Sequence, residues 1–358
     1  MAILDKVFQA AVNFNASDIH VTPGEPFIIR RLGRLVKMKS APLAEAQTRQ
    51  VVFEILTQEQ RKRLMDEQQL DFAVDRDALG RFRGSAMLHN NGLSAVFRSI
   101  PKTIPTLATL GLPAIVEKVM DNHQGLILVT GATGQGKSTT LASMIDHINS
   151  HRAHHILTVE DPIEFVHPIK KGVVNQRQLG MDTHSYGNAL KAALREDPDV
   201  IMIGELRDLE TISLAISAAE TGHLVLGTLA TASAPKTVDR IIDAYPATEQ
   251  NQIRTMLSES LRAVITQRLI PDRDKKKMEV ATEVLIGTLP MANLIRDGKT
   301  FQIPSMMQTA KNVGMQIMDE SILALLQDEK IDAHEAQSQA NDPKRFQAFV
   351  DRAERTAK

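Results

Sequence analysis

The chain begins with apolar residues at helical spacing: Ile3, Leu4, Val7, Phe8, Ala11 and Val12 predict an amphipathic opening helix. Asp5 and Lys6 interrupt the apolar run and no small-residue cleavage site follows, so the pattern is unlike a signal peptide. Its polar face lacks the lysines of a membrane-surface helix, which favours packing on its own domain. Short β-type runs follow at 18–21, 27–30 and 35–38, punctuated by Pro23-Gly24 and Gly33. A helical stretch is expected from about Glu45 to Gln69. Two further runs, 81–88 and 93–98, flank Asn90-Asn91-Gly92 and read as a hairpin.

Pro101, Pro105, Gly111 and Pro113 mark a linker, and beyond it the texture changes. Fully apolar strands at 125–129, 155–159, 200–203 and 224–228 alternate with helices starting near Lys137, His184 and Leu209. That alternation predicts a mostly parallel sheet. The tail from about Gly314 reads as helical and polar, and the charge run 272–277 as a solvated loop.

Composition narrows the function. Hydrophobic residues make up 43% of the 358, enough for two buried cores. Lys plus Arg (42) balance Asp plus Glu (43), which argues against a general nucleic-acid binder, and 4% aromatics leave little for base stacking. The absence of cysteine removes thiol catalysis, disulfides and Cys-based zinc sites. No stretch approaches the roughly 18 apolar residues that span a bilayer, so no direct membrane insertion is expected.

Gly131-Ala132-Thr133-Gly134-Gln135-Gly136-Lys137-Ser138 matches GxxxxGK[ST], followed by Thr139. Chance produces this pattern in about 1% of chains of this length. An apolar strand runs into it and a helix leaves it, as a phosphate loop requires. Its glycines let backbone N–H groups turn toward phosphate oxygens, and the helix dipole adds to the attraction. Lys137 would neutralise β/γ charge of ATP and Ser138 would ligate Mg2+.

Kinases, GTPases and motors share this loop, so other elements must decide. The strand Val200–Ile203 runs into Gly204-Glu205; a carboxylate there can polarise water near the γ-phosphate, or simply neighbour a helix cap. Gly204 stands where the usual motif has Asp. Glu160, Asp161 and Glu164 crowd the end of another apolar strand, as a functional box or a solvated acidic turn. The histidines His151, His154 and His155 lack carboxylates at metal-binding spacing. His20, His89, His123, His147, His167, His184 and His334 read as polar or capping residues.

Taken together, ASDIH (16–20), GRFRGSA (80–86), AVFRSIP (95–101), the phosphate loop, HHILTVEDPIEFVH (154–167), ALREDPDVIMIGELRDLET (193–211) and AAETGHLVLGTL (218–229) resemble the secretion-type ATPases of type II secretion and type IV pili, and most of all the pilus retraction ATPases. The resemblance runs from about residue 3 to 330. It implies a PAS-like α/β domain over 1–100, a linker over 101–112, and a RecA-like ATPase domain with a helical tail over 113–358. It further implies a strand ending at a functional Glu164, Glu205 as general base, His223 as a γ-phosphate sensor, Arg83 and Arg98 as N-terminal arginines reaching the nucleotide, and Arg195 and Arg207 as arginines near inter-domain or inter-subunit sites.

The resemblance also implies a homo-hexamer, ATP and Mg2+ as cofactors, and a cytoplasmic motor held at the inner membrane by a pilus platform protein, with a paralogous retraction ATPase as a further partner. Three positions depart from the family pattern. Ala230 stands where a second histidine is expected, Gln135 where serine is commoner, and Pro290-Met-Ala292-Asn-Leu-Ile-Arg296-Asp297 where AIRNLIRE is expected. Three readings stay open: a principal retraction motor, an accessory paralogue that binds ATP but hydrolyses it weakly, and a small-molecule kinase. The last lacks an evident acceptor lid.

Overall fold

The opening periodicity becomes helix α1 (Ile3–Asn13), whose Leu4, Val7, Phe8 and Ala11 are buried. The computed structural model describes residues 3–14, 16–31, 34–76, 79–100 and 103–356, so the expected turn glycine Gly33 and linker residue Pro101 lie outside the described residues. Strands β1 (Asp18–Val21), β2 (Ile28–Arg31), β3 (Arg34–Lys37), β4 (Gln69–Arg76), β5 (Gly80–His89) and β6 (Gly92–Ile100) form one antiparallel sheet in the order β3-β2-β1-β6-β5-β4. The expected helix over 45–69 is in fact two, α2 (Glu45–Phe53) and α3 (Gln58–Glu67). Gln68 closes α3 in the left-handed region (φ 62°), and β4 starts at once. Leu70, Phe72 and Val74 of β4 point inward, a period-two pattern hidden by the helical charges before it.

The apolar face of this sheet is held by aromatic stacking. Phe8 of α1 lies on Phe82 at 4.1 Å between centroids and meets Phe97 edge-on at 5.2 Å. Such pairs add about 0.5–1.5 kcal/mol beyond area burial. A Cβ at Gly84 would lie 2.5 Å from the Phe72 ring, so the glycine in GRFRGSA is a packing requirement. The opposite face carries a charged row in direct register: Arg30 beside Asp18, Asp18 beside Arg98, Arg98 beside Arg83.

Chain contacts divide the molecule into a unit of residues 1–103 plus Pro162–Val166 and a unit of residues 104–161 plus 167–358. The second unit begins with Leu107 and Leu112, buried against α4 (Ile115–Val119). Its sheet contains β7 (Gly125–Thr130), β8 (His155–Glu160), β9 (Val173–Gln178), β10 (Val200–Ile203), β11 (Leu224–Leu229), β12 (Leu261–Pro271) and β13 (Met278–Ile286), ordered β13-β12-β7-β11-β10-β8-β9. Every neighbouring pair is parallel except the hairpin β12–β13. Both faces are covered. Ile127 and Val129 of β7 join one core with α5 (Lys137–His151), while Leu126 and Leu128 join another with α6 (Tyr186–Ala193) and α7 (Leu209–Glu220). Such two-sided burial is why the parallel strands read as unbroken apolar runs.

Helices α8 (Ala234–Asp243), α9 (Gln250–Ser260), α10 (Leu289–Arg296) and α11 (Ile303–Thr309) pack on the larger core. The polar-looking tail, α12 (Met318–Gln327), α13 (Ala333–Gln339) and α14 (Gln347–Thr356), is anchored by its own cluster of Met318, Ile322, Ile331 and Phe346 on Ile270. Besides β4, three strands were not expected from the sequence: β9, β12 and β13. The last two bury Thr266, Gln267, Thr282 and Glu283, polar residues that disguise a buried strand until their partners are known. Residues 272–277 form the exposed loop of that hairpin, with Asp272 accepting from the Lys276 N–H at 2.6 Å. No helix among the described residues is long and apolar enough to cross a membrane.

Candidate nucleotide site

The phosphate loop leaves the C-terminal end of β7 and enters α5 at Lys137. Gly131 (φ +144°) and Gly136 (φ +79°) adopt backbone conformations that side chains disfavour. A Cβ at Gly131 would also lie 2.6 Å from the Gln267 carbonyl, so the loop backbone runs directly against β12. Ala132, Thr133, Gly134 and Ser138 are exposed, and nothing lies within 4 Å of a Cβ built at Gly134. The cradle therefore opens outward, with the Ser138 hydroxyl at its rim beside Thr139. Lys137 Nζ donates to the carbonyls of Gly131 (2.9 Å) and Ala132 (3.0 Å), the position from which it would meet a polyphosphate. Burial lowers its pKa, opposed by the negative charge of Glu205. This lysine, the rim hydroxyl and the open cradle fit an Mg2+-bound nucleoside triphosphate.

Glu205 follows β10. The register puts Ile203 level with Val159 of β8 and Gly227 of β11, and Thr130 of β7 level with Leu229, so the loop and Glu205 emerge from the same end of the sheet. That is where open α/β sheets bind ligands. Glu205 Oε2 accepts from Arg207 Nε at 2.7 Å, and Arg207 Nη1 lies 3.8 Å from Asp161 Oδ2. The guanidinium thus ties the carboxylates after β8 and β10 together, and the bond to Glu205 raises its pKa. At Gly204 a Cβ would lie 3.3 Å from both Tyr186 Oη and the Val159 carbonyl. A side chain at 204 would require these neighbours to give by a few tenths of an ångström. Tyr186 is itself buried, which raises its hydroxyl pKa.

The acidic box separates into three environments. Strand β8 ends at Glu160, short of the expected Glu164. Glu160 is buried and accepts from Thr158 Oγ1 (2.7 Å) and Gln176 Nε2 (3.0 Å), as a satisfied structural carboxylate does. Asp161 faces Arg207. Glu164 lies in the segment grouped with the first unit, where Arg83 Nη1 approaches its Oε1 at 3.4 Å and Arg81 Nε donates to the Ile163 carbonyl at 2.8 Å. In the same unit Arg98 Nε donates to Asp18 Oδ1 at 3.0 Å.

Two expected residues lie elsewhere. His223 precedes β11, and its carbonyl accepts from the N–H of Gly125, the first residue of β7. It therefore sits at the opposite end of the sheet from the phosphate loop, with Nδ1 3.0 Å from the Ala218 carbonyl. It is not a γ-phosphate sensor for its own subunit. Arg195 occupies the exposed turn between α6 and β10, also at that far end. Ala230 follows the last residue of β11, Leu229, which is level with Thr130, the residue that precedes Gly131. In α10, Met291 and Ile295 are buried, Pro290 starts the helix, and Ala292 replaces the family arginine at a half-buried position.

Among the other histidines, His20 and His167 are buried in part or whole, and each has a ring nitrogen without a partner (Nε2 and Nδ1), rather than serving as polar caps. His147 and His151 pack ring on ring at 4.3 Å. Among the described residues no group of three His, Asp or Glu could hold a metal ion. Sequence reasoning missed Gln267, which is buried on β12 beside the loop, because a lone glutamine in a strand carries no motif.

A phosphate loop and a carboxylate, Glu205, at the C-terminal edge of a mainly parallel sheet define a P-loop nucleotide-binding protein. Residues 1–344 match the family described as type II/IV secretion system protein. The chain is 46% identical to the type IV pilus retraction ATPase PilT of Pseudomonas aeruginosa, over 92% of this chain and 96% of that protein. It is 47% identical to a twitching motility protein of Neisseria gonorrhoeae, over 84% and 80% respectively. With the type IV pilus ATPase PilU of Pseudomonas aeruginosa it shares 38% identity, over 94% and 88%. A crystal structure of the retraction motor PilT with bound ADP superposes with a TM-score of 0.87 at 42% identity, covering 96% of this chain and 98% of that one. The chain belongs to the type II/IV secretion system protein family, in its pilus retraction ATPase branch.

Proposed function

We propose that this chain is an ATP-hydrolysing motor subunit powering type IV pilus retraction and twitching motility. The observation that carries the reading is the emergence of Lys137 and Glu205 from one end of the parallel sheet, on a chain so similar to PilT. The loop backbone and Lys137 bind and orient the triphosphate. Ser138 would hold Mg2+, which when bound neutralises charge between the β- and γ-phosphates. Glu205 orients the attacking water and takes its proton, with its free Oε1 available while Arg207 fixes Oε2. Arg207, Arg83 and Arg98 supply positive charge to the transferring phosphoryl group, and Glu164 holds Arg83 until it is needed. Arg195 could serve only another subunit's site, being at the far end of its own sheet.

We further propose a homo-hexamer, placed in the cytoplasm and held at the inner membrane through a platform protein, with a PilU-like paralogue as a second partner. A purified Glu205→Gln variant should bind ATP normally and lose at least about 100-fold in turnover. Unchanged turnover would remove Glu205 from the mechanism. Ala230 in place of a histidine at the loop end of β11, and Ala292 in place of an arginine, favour a second reading as an accessory motor subunit. Tight nucleotide binding with negligible turnover in the wild type would select it.

A further inference from the structure

We propose that Gln267 and Gln135 form a two-amide clasp that holds the phosphate loop in its nucleotide-binding shape, which makes Gln267 a positioning residue for the ATPase site. The inference rests on the reading above that this loop binds nucleotide.

The clasp arises where β7 ends. β12 pairs with β7 as far as Thr266 opposite Thr130 and then continues without β7 beside it. The loop takes that place. Gln267 Nε2 donates to the Gln135 carbonyl, and its Oε1 accepts from Thr140 Oγ1 at 2.9 Å, so one side chain ties the loop to the first turn of α5. In return, Gln135 Oε1 accepts from the Leu269 N–H, a strand donor with no strand partner on that side. Gln267 is 2% exposed. A buried amide with one end unmatched is costly, so its two bonds specify a single orientation.

The consequence is functional because the loop works through its backbone. A phosphate cradle binds tightly only if its N–H groups already converge before the nucleotide arrives; otherwise binding must do the ordering. The loop touches β12 through Gly131 at one end and Gln135 at the other, and both contacts involve Gln267. Serine, the commoner residue at position 135, is too short to reach the Leu269 N–H. Glutamine at position 135 therefore supplies the second bond of the clasp, to the Leu269 N–H.

The test uses the full chain, with MgADP titration, ATPase kinetics and melting without nucleotide on wild type, Gln135→Ser, Gln267→Ala, Gln267→Glu and Lys137→Ala. We expect the KM for ATP and the Kd for MgADP to rise about tenfold in Gln267→Ala and about threefold in Gln135→Ser. The kcat should stay within about twofold, and the nucleotide-free melting temperature within a few degrees. Gln267→Glu keeps the Thr140 bond but cannot donate to Gln135, so its KM should follow Gln267→Ala. The clasp is refuted if Gln135→Ser and Gln267→Glu bind MgADP within twofold of wild type, or if affinity falls only as far as the nucleotide-free melting temperature does. Should Gln267→Ala not fold, those two variants decide alone. If wild type binds MgADP no better than Lys137→Ala, the nucleotide reading itself fails, and the clasp's function with it.

Discussion

Arg83 and Arg98 stand directly opposite one another on β5 and β6, and each has its own carboxylate: Glu164 for Arg83 at 3.4 Å, Asp18 for Arg98 at 3.0 Å. Like charges in register repel, so the pair is stable only because anions flank it. The arrangement holds two guanidinium groups close together while leaving both partly exposed.

The two carboxylates should differ in weight. Asp18 has only 10% of its side chain exposed and lies within 3.8 Å of Arg30 as well as bonding Arg98. Asp18→Ala should therefore cost about 1–3 kcal/mol, read as a lower urea midpoint. Arg83→Ala and Arg98→Ala should cost no more than about 1 kcal/mol each, since both arginines are solvated. A large fall in ATPase rate in those variants, with stability intact, then reports function. An unchanged midpoint for Asp18→Ala contradicts the flanking argument.

Gly204 should resist restoration of the usual aspartate. Its Cβ would press on Tyr186 Oη and the Val159 carbonyl, and a carboxylate there would join Glu160, Asp161 and Glu205. Gly204→Asp should lose about 2–4 kcal/mol without gaining turnover. A variant that melts like wild type and hydrolyses faster would show that the site can relax.

Ala230 and His223 make opposite predictions. Ala230→His places a donor just past the end of β11, at the loop end of the sheet, and turnover should rise about three- to tenfold, one hydrogen bond's worth. His223→Ala, altering the far end of the sheet, should leave the KM for ATP within about twofold. Steady-state kinetics on both variants checks the assignment; the reverse pattern overturns it.

His167 sets a pH dependence. Burial lowers its pKa from 6.5 to about 4. Below pH 6.5 the unfolded chain takes up a proton that the folded protein accepts only near pH 4. Its contribution to stability is therefore whole above pH 6.5 and declines as pH falls through that window, by about 3 kcal/mol at most. His167→Gln should flatten this part of the stability profile. Identical slopes for the two proteins between pH 6.5 and 4 would disprove the role.

The phosphate loop, Glu205, the parallel strands and the hairpin at Asn90-Asn91-Gly92 were legible in the sequence because each is a local pattern. The loop needs glycines at fixed offsets, and a buried parallel strand needs an unbroken apolar run. Residues whose meaning depends on which strand lies beside which were not legible. His223 lies within a motif, yet parallel register carries it to the far end of the sheet. Glu160, Asp161 and Glu164 are near neighbours in sequence, yet one is buried and satisfied, one faces Arg207 and one faces Arg83. Gln267 is 132 residues from the loop carbonyl it binds. Local pattern determines which elements form and which loop can hold a phosphate, since both depend on neighbours along the chain. The pairing of distant strands decides which side chains meet there, because hydrogen bonds and charge act through space.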